Sequence, residues 1–193
     1  MANAQQPLRG KRVAVLATDG VEDIEYTQSR AAAEQAGAEA HLISIHAGEI
    51  QSMNHDLNPA KRYPVDRTVD QANHADYDAL VLPGGTVNPD RLRMNPTAMN
   101  FVKAFFQQAK PVAAICHGPW SLVETGLVKG RTVTSYPSLH TDIVNAGGTW
   151  VDQPVHVDNG LVTGRRPRDL PAFCDKLVEE FAEGRHARQM ANA

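Results

Sequence analysis

Short, almost wholly apolar runs recur along the chain, separated by stretches with helical character. Residues 11–17 (KRVAVLA) form the first run, rich in β-branched residues, and predict a buried strand. Asp19-Gly20 marks a turn. Residues 22–37 predict a helix, because Ala31-Ala-Ala-Glu-Gln-Ala36 has high helix propensity and Gly37 is a natural C-terminal stop. Residues 39–45 (EAHLISI) predict the next strand. A β-α-β unit within about forty residues has the spacing of a parallel pair joined by a right-handed crossover.

Further runs repeat the theme. Residues 78–82 (DALVL) and 111–115 (PVAAI) predict buried strands, with a helix over 96–110 between them, capped by Asn95 with Pro96 at its first position. A helix should follow residue 119 and reach about Gly126. Residues 131–135 predict a further strand, 138–146 a helix stopped by Gly147-Gly148, and 150–157 with 160–164 edge strands around Asp158-Asn-Gly160. The last helix, 168–183, carries Leu170, Phe173, Leu177 and Phe181 on one stripe. Residues 46–76 break the pattern: they are polar and turn-rich, and predict a hairpin-like excursion with a short strand at 65–69. The economical reading is one doubly wound α/β domain spanning 1–193, with its core at about 11–183 and a frayed tail at 184–193.

Composition narrows the classes. With 193 residues, 42% hydrophobic and 21% charged, usage is globular. A net charge of −3 gives no basic excess for nucleic acid or an anionic membrane. No apolar run is long enough to span a bilayer, and the polar N-terminus lacks a signal-peptide core, so the cytoplasm is expected. Two distant cysteines, Cys116 and Cys174, make neither a disulfide framework nor a zinc pattern. The scattered histidines show no metal-ligand spacing, and no metal or cofactor is expected.

Chemistry concentrates at the predicted carboxyl edge of the sheet. Cys116 follows the 111–115 strand and precedes His117-Gly118-Pro119 at a helix start, which reads as a strained, exposed nucleophile; the alternative is a buried structural cysteine. Gly118 lets the chain turn tightly. The helix dipole and free amides are expected to lower the thiol pKa. Gly84-Gly85, after the 78–82 strand, reads either as a plain turn or as a source of amides for an oxyanion. His117 is a candidate base, but adjacent helical side chains point apart, so it could equally pack locally. Glu22 and Glu25 begin the first helix, where either could complement the dipole. A protonated one facing Cys116 would donate a hydrogen bond, whereas an ionised one would oppose a thiolate.

In that order, Gly20-Val-Glu-Asp-Ile-Glu25, Asp78-Ala-Leu-Val-Leu-Pro-Gly-Gly85, Pro111-Val-Ala-Ala-Ile-Cys-His-Gly-Pro119, Thr134-Ser-Tyr-Pro137, Asn145-Ala-Gly147 and Asp169-Leu-Pro-Ala-Phe173 resemble the ThiJ/PfpI family, in its PfpI-type intracellular peptidase branch. The resemblance covers about residues 11–183. It implies a flavodoxin-like sandwich, a homodimer or higher oligomer, Cys116 as nucleophile, Glu25 as the acid hydrogen-bonded to it, and His117 as the catalytic histidine. The triad's third member, a glutamate from the neighbouring subunit, falls on Asp90, one methylene shorter. Activities in the family range over peptidase, glyoxalase, deglycase, chaperone and oxidative-stress protein. The expected substrate is a small reactive carbonyl, a glycated adduct or a peptide. The rival expectations are a stress sensor whose cysteine is oxidised with little turnover, and a chaperone-like holdase.

Overall fold

A computed structural model describes residues 6–187. In chain order the elements are β1 (Arg12–Leu16), β2 (Val21–Glu22), α1 (Asp23–Gln35), β3 (Glu39–Ser44), β4 (Glu49–Asn54), β5 (Asn58–Pro64), β6 (Arg67–Thr68) and β7 (Ala79–Leu82). They continue as α2 (Val87–Arg93), α3 (Pro96–Gln107), β8 (Val112–Ile115), α4 (Trp120–Glu124), β9 (Thr132–Val133), α5 (His140–Asn145), β10 (Thr149–Trp150), β11 (Val155–Asp158), β12 (Leu161–Gly164) and α6 (Leu170–Glu183).

Seven strands make the main sheet in the order β11-β12-β8-β7-β1-β3-β6, parallel throughout except for β11. Apart from exposed Arg12 at the start of β1, the strands β1, β7 and β8 at its centre are apolar because both faces are covered. Val13, Val15, Ala79, Val81, Ala113 and Ile115 pack on the side of α1 and α6. Ala14, Leu16, Leu80, Leu82, Val112 and Ala114 pack on the opposite side, with Val102, Phe105 and Phe106 of α3. This is a flavodoxin-like, mostly parallel sheet flanked by helices. The stripe predicted on the last helix is its buried face: Leu170, Phe173, Leu177 and Phe181 are at most 1% exposed. Each buries enough apolar surface to contribute about 2–3 kcal/mol.

The 46–76 excursion is a hairpin, β4 against β5, joined to β2 in a separate three-stranded sheet, while β6 returns to the edge of the main sheet. Asn95 caps α3 as expected, accepting from the Ala98 amide at 3.0 Å.

The hydrophobic pattern did not announce α2, in which Pro89 lies in the first turn, where a missing N–H costs nothing. Three expectations need correction. The 131–135 strand is only two residues long and pairs with β10 outside the main sheet. The 138–146 helix is split into a 3-10 turn at Pro137–Leu139 and α5. The tail does not fray at residue 184: the His186 amide donates to the Ala109 carbonyl at 2.8 Å. The rest of the expected tail, 188–193, lies outside the described residues.

Candidate active site

The carboxyl ends of β1, β7, β8 and β12 converge on a pocket of about 380 Å³ lined by Glu25, Gly85, Cys116, His117, Tyr136 and Arg166, among others. Register explains the convergence. The Cys116 amide donates to the Gly164 carbonyl of β12 at 2.9 Å, and the Tyr136 amide donates to the Cys116 carbonyl at 2.8 Å. The backbone is therefore gripped on both sides of the sulfur-bearing residue.

Cys116 sits at φ +61°, in the left-handed region. A side chain there carries strain that surrounding contacts must hold. Gly118 is needed for a different reason from the one expected. Its φ is ordinary, but a Cβ on it would collide with the Leu82 carbonyl oxygen. The left-handed turn falls on the cysteine, and the glycine permits close approach. Gly84 is similar: a Cβ there would lie 2.6 Å from Glu25 Oε2 and 2.7 Å from Cys116 Cβ.

The same turn answers the adjacency problem at His117. Helix α4 starts only at Trp120, so Cys116 and His117 are not on a helix. The turn swings the imidazole back, and Nδ1 lies 3.2 Å from Cys116 Sγ. Nε2 lies 3.1 Å from Ser138 Oγ, and the ring stacks on Tyr136 at 4.7 Å between centroids. Burial pulls the His117 pKa down, so the ring is neutral at physiological pH. With Nε2–H donating to Ser138, Nδ1 is free to accept the thiol proton.

The three acids at the start of α1 have three different partners. Glu22 accepts from the amides of His55 and Asp56 at 3.2 and 3.4 Å. Asp23 accepts from Ser52 Oγ and the Tyr63 hydroxyl at 2.7 and 2.8 Å. Both hold the β4–β5 hairpin beside the pocket. Glu25 alone turns inward. It is fully buried, its Oε2 accepts from the Gly84 amide at 2.8 Å, and the carboxyl lies close enough to the Cys116 thiol for each to shift the other's pKa. Of the two glutamates weighed in the sequence, Glu25 is the one at the sulfur, while Glu22 lines the pocket and anchors its hairpin wall.

Burial raises the Glu25 pKa to about 8, against the pull of its hydrogen bonds to Cys116 and Gly84. Near neutral pH it is therefore a protonated donor. Cys116 departs from the low pKa expected of it. Burial pushes the thiol up first, an ionised Glu25 pushes it up further, and the amides of Gly85 and His117 pull it down. A protonated Glu25 removes the like charge, leaving burial against the two amides. The sulfur is thus a buried thiol beside a neutral base, its pKa held up mainly by burial and next by Glu25.

Asp90 is exposed on α2 and does not line this pocket within the chain. Four contributors escaped the sequence reading. Ser138 and Tyr136 reach His117 from the β9–α5 connection. Buried Asn88 ties the loop down, donating to the carbonyls of Pro83 and Gly84 at 2.9 and 3.0 Å and accepting from the Thr18 amide at 2.8 Å. Arg166 enters from the end of β12. Only Thr134-Ser-Tyr-Pro137 offered a signal, as a matching stretch without a role.

A metal-like grouping exists elsewhere. Glu180, Glu183 and His186, at the far end of α6, bring ligand atoms within 4.8 Å of one another. There His186 Nε2 lies 3.3 Å from Glu180 Oε2 and 4.0 Å from Glu183 Oε2.

Residues 11–180 match the model of the DJ-1/PfpI family. The chain is 36% identical to "Deglycase PfpI" of Pyrococcus furiosus, over 87% of its own length and 98% of that protein. It is 41% identical to "General stress protein 18" of Bacillus subtilis, over 85% and 94%. Among solved structures, Drosophila melanogaster DJ-1beta superposes with a TM-score of 0.80 at 24% identity, covering 94% of each chain, which is a likeness of fold.

Proposed function

The chain belongs to the DJ-1/PfpI family, and on that premise we propose that it is a cysteine-dependent enzyme acting on small reactive carbonyl compounds and the adducts they form. The observation that carries this reading is the trio at the elbow: Cys116 at φ +61°, His117 Nδ1 at 3.2 Å from its sulfur, and buried Glu25 held beside it by the Gly84 amide.

The geometry supports the following sequence with a 2-oxoaldehyde. The sulfur attacks the aldehyde carbon as His117 Nδ1 takes the thiol proton. The carbonyl pair moves onto oxygen, where the amides of Gly85 and His117, already directed at the sulfur, are placed to hold it. Protonation gives a hemithioacetal. Transfer of its C–H proton to the neighbouring carbonyl carbon, through His117, with the hydroxyl proton passing to that carbonyl's oxygen, gives a 2-hydroxy thioester. Water then releases a 2-hydroxy acid and the free thiol. Peptide cleavage is the poorer fit, because a leaving amine needs a well-driven acid and the His117 partner within the chain is a serine hydroxyl, not a carboxylate.

Protonated Glu25 favours a second, compatible reading. A buried donor beside the sulfur would also stabilise a sulfinate formed by peroxide, and one relative is named a general stress protein. Assembly into a dimer or larger oligomer belongs to the proposal too. Asp90 from a second copy would have to compete with Ser138 for His117 Nε2. Mixing inactive Cys116→Ser with an Asp90→Ala variant of reduced activity should restore activity if it does so.

The direct test is methylglyoxal consumption with lactate formation, run beside fluorogenic peptide cleavage, on the wild type and Cys116→Ser. Cys116-dependent lactate formation is expected. Peroxide oxidation of Cys116 without any turnover would leave only the protective reading.

A further inference from the structure

Two charged walls face each other across Cys116. One carries Glu22 and Asp56, the other Arg166 and Arg168. The acidic wall is occupied. Glu22 accepts the His55 and Asp56 amides, and the Asp56 carboxylate accepts the Thr86 amide and hydroxyl at 2.6 and 2.8 Å. Glu25, the remaining carboxyl in the pocket, holds its proton near neutrality.

The basic wall is not occupied. Three arginines leave β12 within four residues. Arg165 is committed, to Asp169 at 2.9 Å and Asp152 at 2.6 Å. Arg168 is two-thirds exposed, with its Nε 3.9 Å from Asp169. Arg166 is 28% exposed and makes no hydrogen bond among the described residues. Its Nε is buried without a partner, and its nearest carboxylate, Asp169, stands 3.9 Å away and already serves Arg165. A half-buried guanidinium with unused donors, two residues past the strand end that binds the Cys116 amide, is built to receive a planar anion.

We propose that Arg166 makes the pocket selective for carboxylate-bearing electrophiles, holding the carboxylate while the electrophilic carbon lies at Cys116. The inference names the substrate class of the site described above and rests on the reading of Cys116 as its nucleophile. It requires that carbonyl compounds with an ionised carboxylate be favoured over neutral ones of the same size.

Iodoacetate and iodoacetamide test this without depending on turnover, since they share size and leaving group and differ in charge. Their alkylation rates at Cys116 are measured by mass spectrometry for the wild type, Arg166→Gln, Arg166→Lys and Arg168→Gln. Arg166→Gln should slow iodoacetate roughly tenfold, the size of one charge-assisted contact, and leave iodoacetamide within twofold. Arg166→Lys should fall between, and Arg168→Gln should change the ratio less than threefold. An unchanged ratio in Arg166→Gln, equal slowing of both reagents, or a tenfold loss in Arg168→Gln instead would overturn the assignment. A shifted ratio in a protein that turns over no carbonyl compound would uphold the selectivity and sink the carbonyl reading alone.

Discussion

The two cysteines of this chain lie in surroundings that differ in one decisive respect. Cys174, on α6, faces a groove against α1 lined by Gln28, Ala31 and Ala32, and among the described residues its sulfur hydrogen-bonds only the Gln28 carbonyl, at 3.8 Å. Burial raises its pKa to about 11. Cys116 is more deeply buried, and its pKa is likewise pushed up. Burial therefore does not separate them. What separates them is a neutral imidazole at 3.2 Å, two amides aimed at the sulfur and a carboxyl that keeps its proton. On the proposed reading, the reactivity of Cys116 comes from where the thiol proton can go and what receives the negative charge, not from an intrinsically acidic thiol.

The largest expected effect breaks the comparison outright. Cys116→Ser should abolish turnover of carbonyl substrates, by 10³-fold or more, whereas Cys174→Ser should leave kcat/KM within twofold. Next, His117→Ala removes the base while leaving the sulfur in place, and should lower kcat by about 10²–10⁴-fold. Ser138→Ala, which only orients the ring, should cost about tenfold or less. If both variants kept full activity, proton transfer would have to run through Glu25.

Glu25 makes a prediction in pH. In the folded chain its pKa is raised from 4.5 to about 8, so between those values the native state holds a proton that the unfolded chain has released. Stability should therefore fall as pH rises across that window, by up to about 5 kcal/mol, and level off above it. Glu25→Gln should flatten the slope and keep a donor to the sulfur, while Glu25→Ala should flatten it and slow Cys116 alkylation. Urea midpoints at pH 5 and pH 8 measure this; equal slopes in wild type and Glu25→Gln would show that Glu25 ionises normally. The smallest effect concerns Asp90. Because Ser138 already occupies His117 Nε2, Asp90→Ala should lower kcat/KM less than threefold, and a loss of a hundredfold would assign Asp90 a place in the chemistry from a partner subunit.

The parts legible in the sequence were those fixed by local pattern. Strands buried on both faces announced themselves as continuous apolar runs, and the Asn95-Pro96 cap placed the start of α3 to the residue, though the helix ends at Gln107 and not at 110. Cys116 was legible because an apolar strand, a cysteine and His-Gly-Pro are contiguous. The role of Glu25 was visible only as one of two possibilities. Which glutamate turns inward depends on where α1 begins and on the close approach that Gly84 allows, and both are tertiary facts. Ser138, Tyr136, Asn88 and Arg166 reach the site from the ends of other elements, where no periodicity marks them. The low thiol pKa was not met because α4, which begins after residue 119 as expected, is only five residues long and lies four residues beyond the sulfur, so burial outweighs its dipole.

The account stands most directly on the relative alkylation rates of the two thiols in one sample, followed by mass spectrometry from pH 6 to pH 9 with iodoacetamide. Cys116 should be modified much faster than Cys174 throughout, and His117→Ala should erase most of the advantage without changing Cys174. Labelling of Cys174 as fast as Cys116, or a Cys116 rate indifferent to His117, would contradict it.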